Sequence, residues 1–130
     1  MARNNTISAT FSQASGDGAA GFSESSGSLS FTSGDAIKLE ASTGGSAEVE
    51  HSLASFGVAQ ADGIYFENRD GTDLMILSIR SATGSGNNLA SFKIAPNGVF
   101  LVRFDASQTA VSHIAIECAN DSPYVLCIAE

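Results

Sequence analysis

Apolar and polar residues alternate along most of this chain with a period of two, the spacing of strands that bury one face. Thr6–Ser12 sets Ile7, Ala9 and Phe11 against Ser8, Thr10 and Ser12. The alternation returns at Leu29 and Phe31, at Ile37 and Leu39, and at Ala47 and Val49, with Lys38, Glu40, Glu48 and Glu50 in the polar phase. Between the last two pairs, Ser42-Thr43-Gly44-Gly45 predicts a hairpin loop, because glycine reaches positive φ without steric cost. Ile64 and Phe66 lie in Gly63–Asn68, and the turn residues Asn68-Arg69-Asp70-Gly71 follow. Leu74–Ile79 is apolar almost throughout, as expected of a central strand covered on both faces. Phe92 and Ile94 precede Pro96-Asn97-Gly98, a turn in which Pro presets φ and Gly or Asn takes the left-handed position. Phe100, Val102 and Phe104 then share one face, and Val111–Cys118 and Tyr124–Ala129 flank an Asn120-Asp121-Ser122-Pro123 turn.

Two stretches break the pattern. Gln13–Gly27 is rich in Gly and Ser with Phe22 as its one large apolar residue, and predicts a long loop that is functional or becomes ordered on binding. Ser81–Asn88 is the clearest exposed loop. Ser52–Gln60 has room for a helical turn or two, which Gly57 and Val58 disfavour. Nine or ten short strands, with turn signals roughly every ten residues, predict an all-β chain: an antiparallel β-sandwich, jelly-roll-like, or a closed barrel. At 130 residues the expectation is one sandwich domain over 1–130.

Charge narrows the partners. Six Lys and Arg against 14 Asp and Glu give a net charge of −8. Arg3, Lys38, Arg69, Arg80, Lys93 and Arg103 are scattered, so neither nucleic acid nor an anionic membrane surface is an expected partner. No apolar run approaches the roughly 18 residues that span a bilayer. The opening MARNNTISATFS holds no apolar signal core, so synthesis and folding in a cytoplasm are expected. Charged residues make up 15% of the chain, low for a monomer with a fully solvated surface. That profile suits a part covered by neighbours.

Candidate chemistry is sparse. A nucleophile needs a base beside it, and His51 and His113 are the two histidines. His113 shares a strand face with Ala115 and Glu117, and His51 ends a strand beside Glu50; both read as surface or rim residues. Cys118 and Cys127 are too few for a disulfide framework. A hairpin would set them opposite each other, and two reduced core thiols are the expected state in a cytoplasmic product. Asn68-Arg69-Asp70-Gly71-Thr72-Asp73 has the oxygens of a calcium loop without its regular spacing or acidic last ligand, and Asx turns use the same residues with no ion. Gly84-x-Gly86 precedes no helix, so it is not a phosphate loop. No catalytic, cofactor or metal site is expected.

Asp62–Phe104 carries a resemblance. Gly63-Ile64-Tyr65-Phe66-x-Asn68-x-Asp70-x-Thr72-Asp73, the apolar Leu74–Ile79, and Phe92-Lys93-Ile94-Ala95-Pro96-Asn97-Gly98-Val99-Phe100-Leu101-Val102-Arg103 resemble a pattern in small virion proteins of tailed phages. Ile114–Cys118 and Tyr124–Ile128 match its isoleucine-rich and terminal strands. The resemblance covers the C-terminal half and implies a β-sandwich, jelly-roll-like, with no catalytic residues to transfer. It implies a capsid decoration (cement) protein on an assembled shell, bridging subunits of the major capsid protein or another virion protein. A homo-oligomer would follow, a trimer over a local threefold being favoured, with the virion as its location. A tail or neck component is the alternative. A carbohydrate-binding sandwich fits less well, because sugar platforms expose Trp and Tyr and this chain has no Trp and only Tyr65 and Tyr124.

Overall fold

The computed structural model describes residues 3–13, 21–25, 29–33, 36–45, 47–104 and 110–130. Within them the period-two segments form twelve strands: β1 (Arg3–Ile7), β2 (Thr10–Gln13), β3 (Phe22–Ser25), β4 (Leu29–Ser33), β5 (Ala36–Ser42), β6 (Glu48–Ser52), β7 (Gly63–Asn68), β8 (Met75–Arg80), β9 (Asn88–Ile94), β10 (Val99–Arg103), β11 (His113–Glu117) and β12 (Pro123–Ala129).

Eight of them build two antiparallel four-stranded sheets, ordered β10-β7-β12-β5 and β6-β11-β8-β9. The pairings β8 with β9, β7 with β10, β6 with β11 and β5 with β12 nest inside one another. They alternate between the sheets, and β12 with β7 and β11 with β8 join them. This is the strand order of a jelly roll.

The alternation places the core between the sheets. Ile64, Phe66, Tyr124, Leu126 and Ile128 face inward from one sheet and Met75, Leu77, Ile79, Ile114 and Ile116 from the other, all buried. Ile37, Leu39, Phe100 and Val102 pack against them with partial exposure. A short 3-10 turn at Leu53–Phe56 plugs one end and stops at Gly57, whose φ of 80° is left-handed. Sequence allowed a helical turn there, and Leu53, which opens it, and Val58, just beyond it, lie in the core.

β8 does not match its expected outline. Leu74 precedes the strand and is half-exposed, while Arg80 ends it and is buried. The Ala95–Gly98 turn follows expectation, with Asn97 at φ 58° and the Gly98 amide donating to Ala95 O at 2.8 Å. A Cβ on Gly98 would lie 2.8 Å from that carbonyl oxygen, so the hydrogen bond and the side chain exclude each other.

Ser42–Gly45 is not a hairpin loop. β5 and β6 belong to opposite sheets, so the segment arches across the sandwich. Buried Thr43 settles this: its hydroxyl donates to Asn120 O (2.8 Å) and accepts from the Ser122 amide (3.0 Å). The Asn120–Pro123 turn is a second arch, and the two brace each other.

The first strands stand apart from the sandwich sheets. β1 pairs with β4 and β2 with β3, each as a two-stranded antiparallel sheet. Their registers nest, with Arg3 opposite Ser33 and Gln13 opposite Phe22, as in one long ribbon interrupted between Ile7 and Thr10. Phe22–Ser25 is therefore strand within the stretch expected to be loop; residues 14–20, 26 and 27 of that stretch lie outside the described residues.

Candidate interaction surfaces

The two outer faces of the sandwich differ in kind. Across β6-β11-β8-β9 the register sets Glu50, Ala115, Ser78 and Ser91 in one row and Ser52, His113, Arg80 and Asn88 in the next. Arg80 reaches over β11 to the carboxylates of β6. Its guanidinium donates to Glu48 (3.0 and 2.7 Å), to Glu50, and through Nε to Asn88 Oδ1 (2.6 Å). The small Ala115 leaves room for the crossing and is buried beneath it. Glu50 also accepts from the Thr83 hydroxyl and from the Gly84 amide (2.9 Å). Those two donors first, and Arg80 after them, hold its carboxyl down at about 2. The network pins the Ser81–Gly84 loop onto the sheet and leaves the face polar and closed.

The outer face of β10-β7-β12-β5 mixes apolar and charged residues instead. Leu101, Tyr65, Cys127 and Lys38 align in one row, and Arg103, Gly63, Ala129 and Ala36 in another. Val99 is 56% exposed at its edge. Charge collects at one corner, where Glu40 pairs with Lys38 (2.8 Å) and Arg69 (3.3 Å), and Arg69 also meets Glu67 (3.4 Å). The Tyr65 hydroxyl donates to Glu67 at 3.1 Å, and burial, then that carboxylate, pushes its pKa up. Thr6–Thr10 of the ribbon overhangs this face and encloses a cleft of about 690 Å³ with it. No charged side chain of the described residues lines the cleft.

The histidines do not share a site. His51 faces into the sandwich, its Nε2 and the buried Tyr124 hydroxyl hydrogen-bonded at 2.7 Å, with the Phe56 ring centroid 5.9 Å away. Burial pushes its pKa below the usual histidine value and that of Tyr124 up. It is half-buried and turns inward, because its strand phase is opposite to that of Glu50. His113 Nδ1 lies 2.9 Å from Ser112 Oγ, an adjacency that sequence reading passed over. The single hydroxyl proton of Ser112 goes to Ser81 O at 2.7 Å, so the imidazole is the donor of that pair and not a base for the serine.

Nor do the cysteines meet. β11 and β12 lie in opposite sheets, so no hairpin joins them. Cys118 is buried in the core, its thiol 3.2 Å from Ser122 Oγ, whereas Cys127 lies on the outer face between Tyr65 and Lys38. Both are free thiols, one of them outside the core.

Asn68–Asp73 is a clasp made of Asx turns. Asp70 Oδ1 accepts from the Thr72 and Asp73 amides, each at 2.7 Å, and these bonds hold its carboxyl below the usual range. Asn68 is fully buried. Its Oδ1 accepts from the Asp70 amide (2.9 Å), and its Nδ2 donates to Asp73 O (2.8 Å), Ala95 O (3.1 Å) and Ile94 O (3.2 Å). The Arg69 amide donates to Pro123 O (3.0 Å) and the Asn97 amide to Asp70 O (3.0 Å), so three loops at one end of the sandwich are tied together. Among the described residues no group of three His, Cys, Asp or Glu side chains gathers as a metal site requires.

No family model matches this chain, and neither any curated protein nor any solved structure is similar to it.

Proposed function

We propose that the protein is a structural part of a tailed-phage virion, a decoration protein that cements an assembled shell by bridging capsid subunits. One observation carries the reading: a jelly roll with one outer face closed by a charged network and the other holding a cleft that no charged side chain of the described residues lines, with Val99 exposed at its edge. An uncharged cleft of this kind is costly to leave in water, and apolar surface of that sort marks a contact. The clasp supports the likeness to virion proteins, since Asn68, Asp70, Pro96 and Gly98 of the shared pattern each have a turn-building role here. The protein acts by adhesion, without catalysis, as a homo-oligomer, with a trimer favoured. Burial of Tyr124 tells against a sugar platform, leaving Tyr65 as the one tyrosine at the cleft.

The test is cosedimentation of the full chain with tailed-phage shells before and after expansion, followed by imaging of the decorated particles. Saturable binding spread over the shell is expected. A chain that ignores every shell overturns the reading, and density confined to a ring at one vertex replaces it with a tail or neck role.

A further inference from the structure

The cleft on the outer face of β10-β7-β12-β5 is a hollow that the chain roofs over and does not fill. Part of its floor is Gly63, Ala129 and Ala36, which stand in register across three strands. Its roof is lined by Thr6, Ser8, Ala9 and Thr10. Face-to-face β layers pack about 10 Å apart with their side chains interdigitated. Short side chains above and below leave a space, here of about 690 Å³, within the range of roughly 300–1,000 Å³ over which small molecules are bound.

The walls select the occupant. At about 30 Å³ each, about twenty waters have room here, and each needs two to four polar partners. Val99, Leu101 and the two alanines offer none, so an apolar molecule displaces that water favourably. An ion is disfavoured, because it would give up its hydration with no opposite charge among the described lining residues. Burial pushes the pKa of the Cys127 thiol up, so that group is neutral at pH 7 as well. The charges at the corner of the face are spent on one another: Glu40 pairs with Lys38 and Arg69, and Arg69 with Glu67. One lining group adds direction. The hydroxyl proton of Tyr65 is committed to Glu67, so toward a ligand its oxygen accepts.

We propose that this cleft binds an uncharged, mostly apolar small molecule bearing a hydroxyl, held between the sheet and the Thr6–Thr10 strap with that hydroxyl donating to Tyr65. The site goes beyond the shell-binding reading. It is measured without any shell, so either can fail alone.

The test titrates the full chain into Nile red, a neutral apolar fluorophore, with 1-decanol and decanoate as competitors. Saturable binding of one dye per chain is expected, with a Kd of about 50 μM or tighter. 1-Decanol should displace the dye at least about tenfold better than decanoate at pH 8. Tyr65→Phe should weaken 1-decanol about fivefold and leave Nile red, which has no donor, unchanged. The thiols locate the site. Cys118 is 3% exposed, whereas Cys127 is half-buried on the cleft wall, so N-ethylmaleimide should label Cys127 first and 1-decanol should slow that labelling. Leu101→Glu places a charge in the cleft and should weaken Nile red binding about a hundredfold. Ala9→Trp, on the exposed roof, should fill the cleft and do the same with an unchanged far-UV spectrum. No saturable dye binding at about 100 μM chain, equal competition by decanoate, unslowed labelling of Cys127, or wild-type dye binding by folded Ala9→Trp would each overturn the proposal.

Discussion

Asn68 offers the sharpest test of how the loops are held. Asn68→Ala removes an acceptor for the Asp70 amide and the donors to Asp73 O, Ala95 O and Ile94 O. A buried polar group left without a partner costs about 1–3 kcal/mol. Ile94 O is the most enclosed of the three carbonyls and Asp73 O the most tightly bound, so two full penalties and a remainder partly recovered by water give about 3 kcal/mol. Against a total stability of about 5–15 kcal/mol, urea unfolding should show a lower midpoint with an unchanged slope.

Asn68→Asp keeps the shape and reverses the chemistry. One carboxylate oxygen then faces carbonyl oxygens in place of the amide donors. The folded state disfavours the charge, so the new carboxyl pKa rises above its unfolded value of about 3.9. Relative to wild type, this variant should be most stable below that value and lose stability as pH rises through the folded pKa. At pH 7 it should be worse than Asn68→Ala. If Asn68→Ala unfolds within about 0.5 kcal/mol of wild type, or Asn68→Asp matches wild type at pH 7, the clasp is not what ties these loops.

Other consequences are as direct. Arg80→Ala should cost about 3 kcal/mol in urea unfolding, the low end for a broken buried pair, because Glu48 is 39% exposed and rehydrates. Glu50 is held at about 2 against an ordinary 4.5, so its contribution is complete above pH 4.5 and lost as pH falls toward 2. It amounts to at most about 3 kcal/mol, and Glu50→Gln should flatten that limb of the stability–pH curve. His51 is half-buried and its pKa is held below 6.5 by that burial, so stability should fall as pH drops from 6.5 through the folded value. In His51→Gln that step should vanish from thermal melts between pH 7 and 5.

The strands were legible because alternation is local. Ile64 with Phe66, or Phe100 with Val102, reports one face of one strand whatever its neighbours are. Pairing is not local. Ser42–Gly45 has the glycines that a hairpin needs and that an arch between sheets needs equally; Thr43 decides between them through Asn120 and Ser122, far along the chain. The same distance hid the Arg80 network, whose carboxylates lie two strands away across β11. Lys38, Glu40, Glu48 and Glu50 were placed in the polar phase correctly, but only the register shows Glu48 and Glu50 beside a buried guanidinium. The partner of His51 was hidden for a different reason: Ser52 ends β6, and near a strand end sequence phase does not say whether a polar residue turns to solvent or to a hydroxyl such as that of Tyr124. The cleft was invisible because Tyr65, Val99, Leu101 and Cys127 come from three separate strands.

The nesting of the strand pairs also sets the order in which the protein is completed. β8 and β9 are joined by a short loop and meet as soon as both exist, and each later pair closes a longer stretch of chain around the one before. β12 is the last of the eight strands to leave the ribosome, yet it lies in the middle of its sheet, between β7 and β5. Until it emerges, β5 has no neighbour in its sheet and the inward residues Tyr124, Leu126 and Ile128 are missing from the core. Completion of the sandwich therefore waits on β12 and on much non-local pairing, slow by the measure of contact order, and a nascent chain stopped before Pro123 should be more sensitive to protease than one carried through Ala129.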